Sequence, residues 1–92
     1  MVDYTWDADK EEENVRKRGI WFAEARTVLR GRLTVTWFDE LHSENELRFK
    51  SLGYSDLGRI LVVVTSDDGV QPRIISAWRA SKRERDAYQR RR

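Results

Sequence analysis

The spacing of apolar residues along this chain changes once, near residue 31, and the change divides it into two kinds of structure. Residues 8–18 are polar nearly all round, with acids from Asp9 to Glu13 and then Arg16, Lys17 and Arg18. Acids at a helix start and bases at its end both complement the helix dipole, so this order predicts a helix. Asp7 or Asp9 can cap it, and Gly19 suits the left-handed residue that comes next. Such a polar helix needs outside anchoring, from Val15 and the flanking Trp6 and Ile20. Over 22–30, Phe22, Ala25, Val28 and Leu29 form an apolar stripe at helical period, which predicts a second helix ended by Gly31.

Beyond this point the period is two. Leu33, Val35 and Trp37 alternate with Thr34 and Thr36, predicting a half-buried strand. Residues 39–46 are polar and read as a connecting loop. Leu47 to Ser55 predicts a second strand, with Arg48, Lys50 and Tyr54 on one face and Phe49 and Ser51 on the other. Ser55 to Gly58 gives a turn, and the β-branched run from Arg59 to Thr65 gives a third strand. Asp67, Asp68 and Gly69 make the next turn, and Arg73 to Trp78 predicts a fourth strand. Pro72 lacks the N–H a ladder needs, so it belongs at that strand's start or on an edge. Ser81 and Glu84 stand at capping-box spacing ahead of a third helix over about 82–90. Short turns make neighbouring strands antiparallel. The expected fold is therefore α+β: a four-stranded antiparallel meander, two N-terminal helices on one face, and a C-terminal helix.

Composition narrows the chemistry. Ninety-two residues predict a single domain. With no cysteine and one histidine, His42, neither disulfides nor a thiolate or histidine-rich metal site is expected. The longest apolar run, Ile60 to Val64, is far too short to span a bilayer. The first residues lack the basic and apolar regions of a signal peptide, so the expected location is cytoplasmic. A net charge of +2 hides a strong asymmetry. Asp3, Asp7, Asp9 and Glu11 to Glu13 make the start acidic, whereas Arg79, Lys82, Arg83, Arg85 and Arg90 to Arg92 make the end basic. Basic groups at that density attract polyanions through phosphate contacts. Arg90 to Arg92 read as a frayed basic tail.

Four segments together resemble the BrnT family of ribonuclease toxins. Trp6-Asp7, Lys10, Asn14, Lys17, Gly19 and Phe22 match the family's opening pattern, with Arg18 where histidine is usual. His42-Ser43 precedes Arg48-Phe49. Gly58 to Val64 is similar to its G-R-x-L-V-V-V strand. Arg73-Ile74-Ile75-Ser76-Ala77, then Arg79 to Arg85, is close to its R-I-I-S-A-R-x-A-T-x-x-E-R ending, with Trp78 where arginine is usual. The resemblance covers residues 4–88. It implies a RelE-like fold, endoribonuclease activity, and restraint by a BrnA-like antitoxin. That antitoxin's ribbon-helix-helix part would bind operator DNA, so the toxin would reach DNA only through a hetero-oligomer.

Metal-independent RNA cleavage needs a base for the 2′-hydroxyl, cations for the phosphorane and an acid for the leaving 5′-oxygen. No cofactor is expected. Arg59, Arg73 and Arg79 are the candidate catalytic guanidiniums, since arginine's planar fork binds phosphate oxygens and stays charged. Ser76 is a candidate phosphate contact. His42 is of the one side-chain type that ordinarily titrates near neutrality, which makes it a candidate base. Glu40, Glu44 and Glu46 are weaker ones. Lys17, Arg48, Lys50, Tyr54, Lys82 and Arg83 are expected to bind RNA, and Trp78 either stacks on a base or packs against the last helix. Asn14 is expected to fix its helix to the sheet. Because of Trp78, a second reading stands beside the first: an RNA-binding or co-repressor module with impaired catalysis.

Overall fold

The computed structural model describes residues 3–91. Met1, Val2 and Arg92, the last residue of the basic tail, lie outside them. The described elements are α1 (Ala8–Arg18), α2 (Phe22–Leu29), β1 (Val35–Phe38), a 3-10 turn at Glu40–His42, β2 (Leu47–Tyr54), β3 (Ile60–Asp67), β4 (Pro72–Arg79) and α3 (Lys82–Arg91). The α+β order and the antiparallel sheet, β1-β2-β3-β4, match the expectation from periodicity. Among the described residues no helix is long and apolar enough to cross a membrane.

Local chemistry sets the helix ends. Asp7 is the cap of α1, its carboxylate accepting from the N–H groups of Asp9 and Lys10 at 2.7 and 3.2 Å. Gly19 closes the helix at φ 74°, a left-handed conformation that glycine adopts without a Cβ penalty. The start of α2 has no capping side chain of its own. Glu11 of α1 supplies one from a distance, accepting from the Phe22 N–H at 2.8 Å. In α3 the capping box forms as the spacing predicts: the Glu84 N–H donates to Ser81 Oγ and the Ser81 N–H donates to Glu84 Oε1.

Each face of the sheet carries its own core. On one face Leu61, Val63, Ile74 and Ala77 pack with Ile20 and with Phe22, Ala25 and Val28 of α2. On the other, Leu52 and Val62 pack with Ala80 and Tyr88, joined by Val35, Trp37, Ile60 and Trp78. Only α2 thus lies squarely on the first face. α1 runs along β4, and α3 covers one end of the opposite face.

Asn14 makes the attachment of α1. It is buried, and its side-chain N–H groups donate to the carbonyls of Ile20 at 2.8 Å and Ala77 at 3.0 Å. Its Oδ1 accepts from the Ala77 N–H at 3.1 Å. The amide thus satisfies an outward-facing peptide of the edge strand much as a fifth strand would. Thr5 does the same further along, with its N–H on Pro72 O and its carbonyl taking the Ile74 N–H.

The structure departs from simple periodicity at two places. Leu33 is exposed and precedes β1 rather than opening it. The register of β3 and β4 shifts between Val64 and Thr65, leaving Ile75 as an extra residue. The expected tail differs too: Arg90 and Arg91 are helical, and the Arg91 guanidinium lies over the Trp37 ring at 5.5 Å.

Candidate active site on the open sheet face

α3 leaves part of its face uncovered, and two rows of side chains cross that part. One is Arg48, Ser66 and Arg73, paired across β2, β3 and β4; the other is Trp37, Lys50, Val64 and Ser76 across all four strands. Alternation alone would put Arg73 and Ser76, three residues apart, on opposite faces. The extra residue at Ile75 restores them to one face. Over these rows runs a groove of three adjoining clefts that share Lys10 and Ile75. The main one, of about 590 Å³, is lined by Lys10, His42, Arg48, Ser66 and Arg73, with the acids Asp7, Glu44 and Glu46 among them. The groove continues past Lys50 and Ser76 to Lys17 and Arg18 at the end of α1.

The charges in the groove are unevenly matched. Arg73 pairs with Glu46 at 2.9 Å, and Lys17 with Glu13 at 2.7 Å. Among the described residues Lys10, Arg48 and Lys50 form no ion pair. Lys10 lines all three parts of the groove. The Ser66 hydroxyl is buried between the two arginines with no hydrogen-bond partner among the described residues. A buried hydroxyl left unpaired costs free energy, and this one belongs to a residue that lines the main cleft.

His42 reaches the groove from a loop tied at its base. The Asp39 N–H donates to Arg48 O at 2.8 Å, and Ser43 Oγ bridges Asp39 O at 2.5 Å and the Arg48 N–H at 2.9 Å. Within this clasp His42 Nδ1 meets the Asp39 carboxylate at 2.9 and 3.1 Å. A carboxylate on Nδ1 favours the tautomer with its proton there, leaving Nε2 as the free basic nitrogen. Asp39 is one of the acids of the loop around His42, and its spacing of three from the histidine is what distinguishes it from Glu40, Glu44 and Glu46. Among the described residues no three His, Cys, Asp or Glu side chains are grouped so as to hold a metal ion.

The structure divides the arginines that the sequence pattern grouped. Arg73 and Arg48 share the groove with Lys50, Ser76 and His42. Arg59 and Arg79 are on the α2 side. Arg59 is bound to the buried carboxylate of Glu24, through Nε at 3.0 Å and through Nη2, while Ser55 Oγ donates to the same carboxylate at 2.6 Å. Arg79 pairs with Leu61 in the register, and its charge acts on Glu24. Tyr54 packs edge-on against Tyr88 at 6.1 Å, away from the groove. Lys82 is engaged with Asp86, and Lys82 and Arg83 are exposed on the first turn of α3. Trp78 is half-buried under α3, its ring N–H on the Glu84 carboxylate at 3.3 and 3.4 Å.

Glu24 belongs to stability. The Arg59 contact holds its carboxyl below the usual carboxylate range, with the Ser55 hydrogen bond adding to this and burial opposing it. A depressed folded-state pKa contributes stability above the unfolded value, and that contribution is lost as pH falls through the folded one. Glu24→Gln is therefore expected to lower the neutral-pH Tm and to flatten the loss of stability below about pH 4.3. Thermal melts of both proteins from pH 3 to 7 check this; parallel curves would contradict it.

A family model described as "Ribonuclease toxin, BrnT, of type II toxin-antitoxin system" matches residues 6–84. No curated protein matches the chain. Among solved structures, the crystal structure of the Brucella abortus ribonuclease toxin BrnT is similar, with a TM-score of 0.68 and 21% sequence identity. The match covers 89% of this chain and 100% of the Brucella chain, and at that identity it speaks for the fold. With the profile spanning most of the residues, the chain belongs to the BrnT family of ribonuclease toxins of type II toxin–antitoxin systems.

Proposed function

We propose that this protein is a metal-independent endoribonuclease whose active site is the open-face groove. One observation carries the reading. An imidazole oriented by Asp39 faces the cleft that Arg48, Arg73 and Ser66 line, with Lys50 and Ser76 in the adjoining row. In the reaction His42 Nε2 takes the 2′-hydroxyl proton as the 2′-oxygen attacks phosphorus. The bond to the 5′-oxygen breaks, leaving a 2′,3′-cyclic phosphate. Arg48 and Arg73 bind the non-bridging oxygens, where negative charge builds. Lys10 and Lys50 are the ammonium groups at hand to protonate the departing 5′-oxygen. Arg59 and Arg79 are assigned to the opposite face.

A cytoplasmic toxin of this kind needs restraint. The reading includes a BrnA-like antitoxin of ribbon-helix-helix type that covers the groove, with operator DNA bound through the antitoxin. The second reading, an RNA binder with impaired catalysis, draws on Trp78 being packed under α3 rather than offering a cation. Incubation with end-labelled RNA in EDTA separates the two. The first predicts fragments ending in 2′,3′-cyclic phosphate; intact RNA with a salt-sensitive mobility shift would favour the second.

A further inference from the structure

The far end of the groove contains a pair of residues that the proposed reaction does not use. Arg18 sits in the last turn of α1, and its guanidinium carbon lies 5.3 Å from the centre of the Trp78 ring. It lines the groove beside Ser76, Lys10 and Lys17. Resting on the assignment of the groove as the RNA site, we propose that Arg18 binds an RNA phosphate at this end and that Trp78 is the residue positioning it.

Both partners are firmly held. The α1 backbone at Arg18 is bounded by the left-handed Gly19, whose N–H donates to Val15 O at 2.8 Å, and by Asn14, which is fixed to β4 one turn earlier. The Trp78 ring is fixed by its contact with Glu84 and by packing under α3. A cation held over an aromatic ring keeps its charge, and the guanidinium N–H donors not turned to the ring stay available for phosphate oxygens. Among the described residues Arg18 forms no ion pair, and Glu13, the acid that lines the same part of the groove, is paired with Lys17.

The sequence adds a second observation. Positions 18 and 78 both depart from the motif pattern that the chain resembles, and in the fold they touch.

The test uses the intact protein and a fluorescein-labelled RNA oligonucleotide 2′-O-methylated throughout, which binds but cannot be cut. Anisotropy titrations over a range of salt give affinity and counterion release. Arg18→Ala is expected to weaken binding about tenfold and to reduce the log–log salt slope by about one, with Tm unchanged. Trp78→Leu should weaken binding only where Arg18 is present, and Trp78→Phe, which keeps a ring, should retain most of it. Adding Trp78→Leu to Arg18→Ala should then cost nothing more, the mark of a coupled pair. Lys50→Ala serves as the reference for the groove. Loss in Lys50→Ala with Arg18→Ala within twofold of wild type would overturn the proposal and leave the groove standing. Loss in Arg18→Ala with Lys50→Ala unaffected would support Arg18 and contradict the groove as drawn. Additive effects of the two substitutions would overturn the role of Trp78.

Discussion

Replacing His42 by alanine is expected to slow RNA cleavage by about 10²–10⁴-fold, the range for loss of a general base. The imidazole is largely exposed and, among the described residues, its side-chain hydrogen bonds go only to Asp39, so a surface-type change in stability, within about 0.5 kcal/mol, should accompany it. Asp39→Asn should cause a smaller loss, because the ring remains while its tautomer is no longer set. Single-turnover cleavage of one labelled oligonucleotide, read alongside Tm, measures both. A His42→Ala protein that cuts at the wild-type rate would remove histidine from the mechanism and leave the cations to act without it.

The second large effect concerns the attachment of α1. Asn14→Ala removes two donors and one acceptor from buried partners, leaving the Ala77 peptide at the sheet edge unpaired. The cost of orphaned buried groups sets the expected loss at about 2–4 kcal/mol. For a chain of this size that is a fall in Tm of about 10–25 °C. Asn14→Asp should be worse at neutral pH, since a carboxylate would face the carbonyls of Ile20 and Ala77, and should recover as the acid is protonated. Differential scanning calorimetry at pH 4 and pH 7 compares the two. Since α1 carries Lys10, Lys17 and Arg18, a partly detached helix would also open one wall of the groove.

Much of this architecture was legible from spacing. Helix ends could be placed from Asp7, Gly19, Ser81 and Glu84, because capping depends on neighbours within a few residues. The four strands could be placed from alternation and their turns. What alternation could not reveal was the extra residue at Ile75. One added residue reverses which face every later side chain takes, and nothing in Arg73-Ile74-Ile75-Ser76 announces it. The partner of Arg59 was hidden for a different reason. Glu24 lies 35 residues earlier on a helix, and only the packed fold brings it beneath the arginine. An arginine at a strand start next to an apolar run looks alike whether it faces a ligand or a buried acid. Asn14 carried a readable hint of anchoring, since a lone amide in so charged a helix has little local use. Arg18 and Trp78 were each visible as departures from a pattern, but their contact was not, because 60 positions separate them.

The placement of the active centre on the α3 side of the sheet is tested most directly by exchanging exposed cations from either face. Lys50→Ala and Arg79→Ala each remove one solvent-facing charge with no ion pair among the described residues, so neither should unfold the protein. Cleavage of the same RNA by the two variants is predicted to fall about tenfold or more for Lys50→Ala. For Arg79→Ala it is predicted to stay within about twofold of wild type, as for a charge that makes no contact with the reacting phosphate. A loss confined to Arg79→Ala would contradict the account and move the chemistry to the face that carries α2.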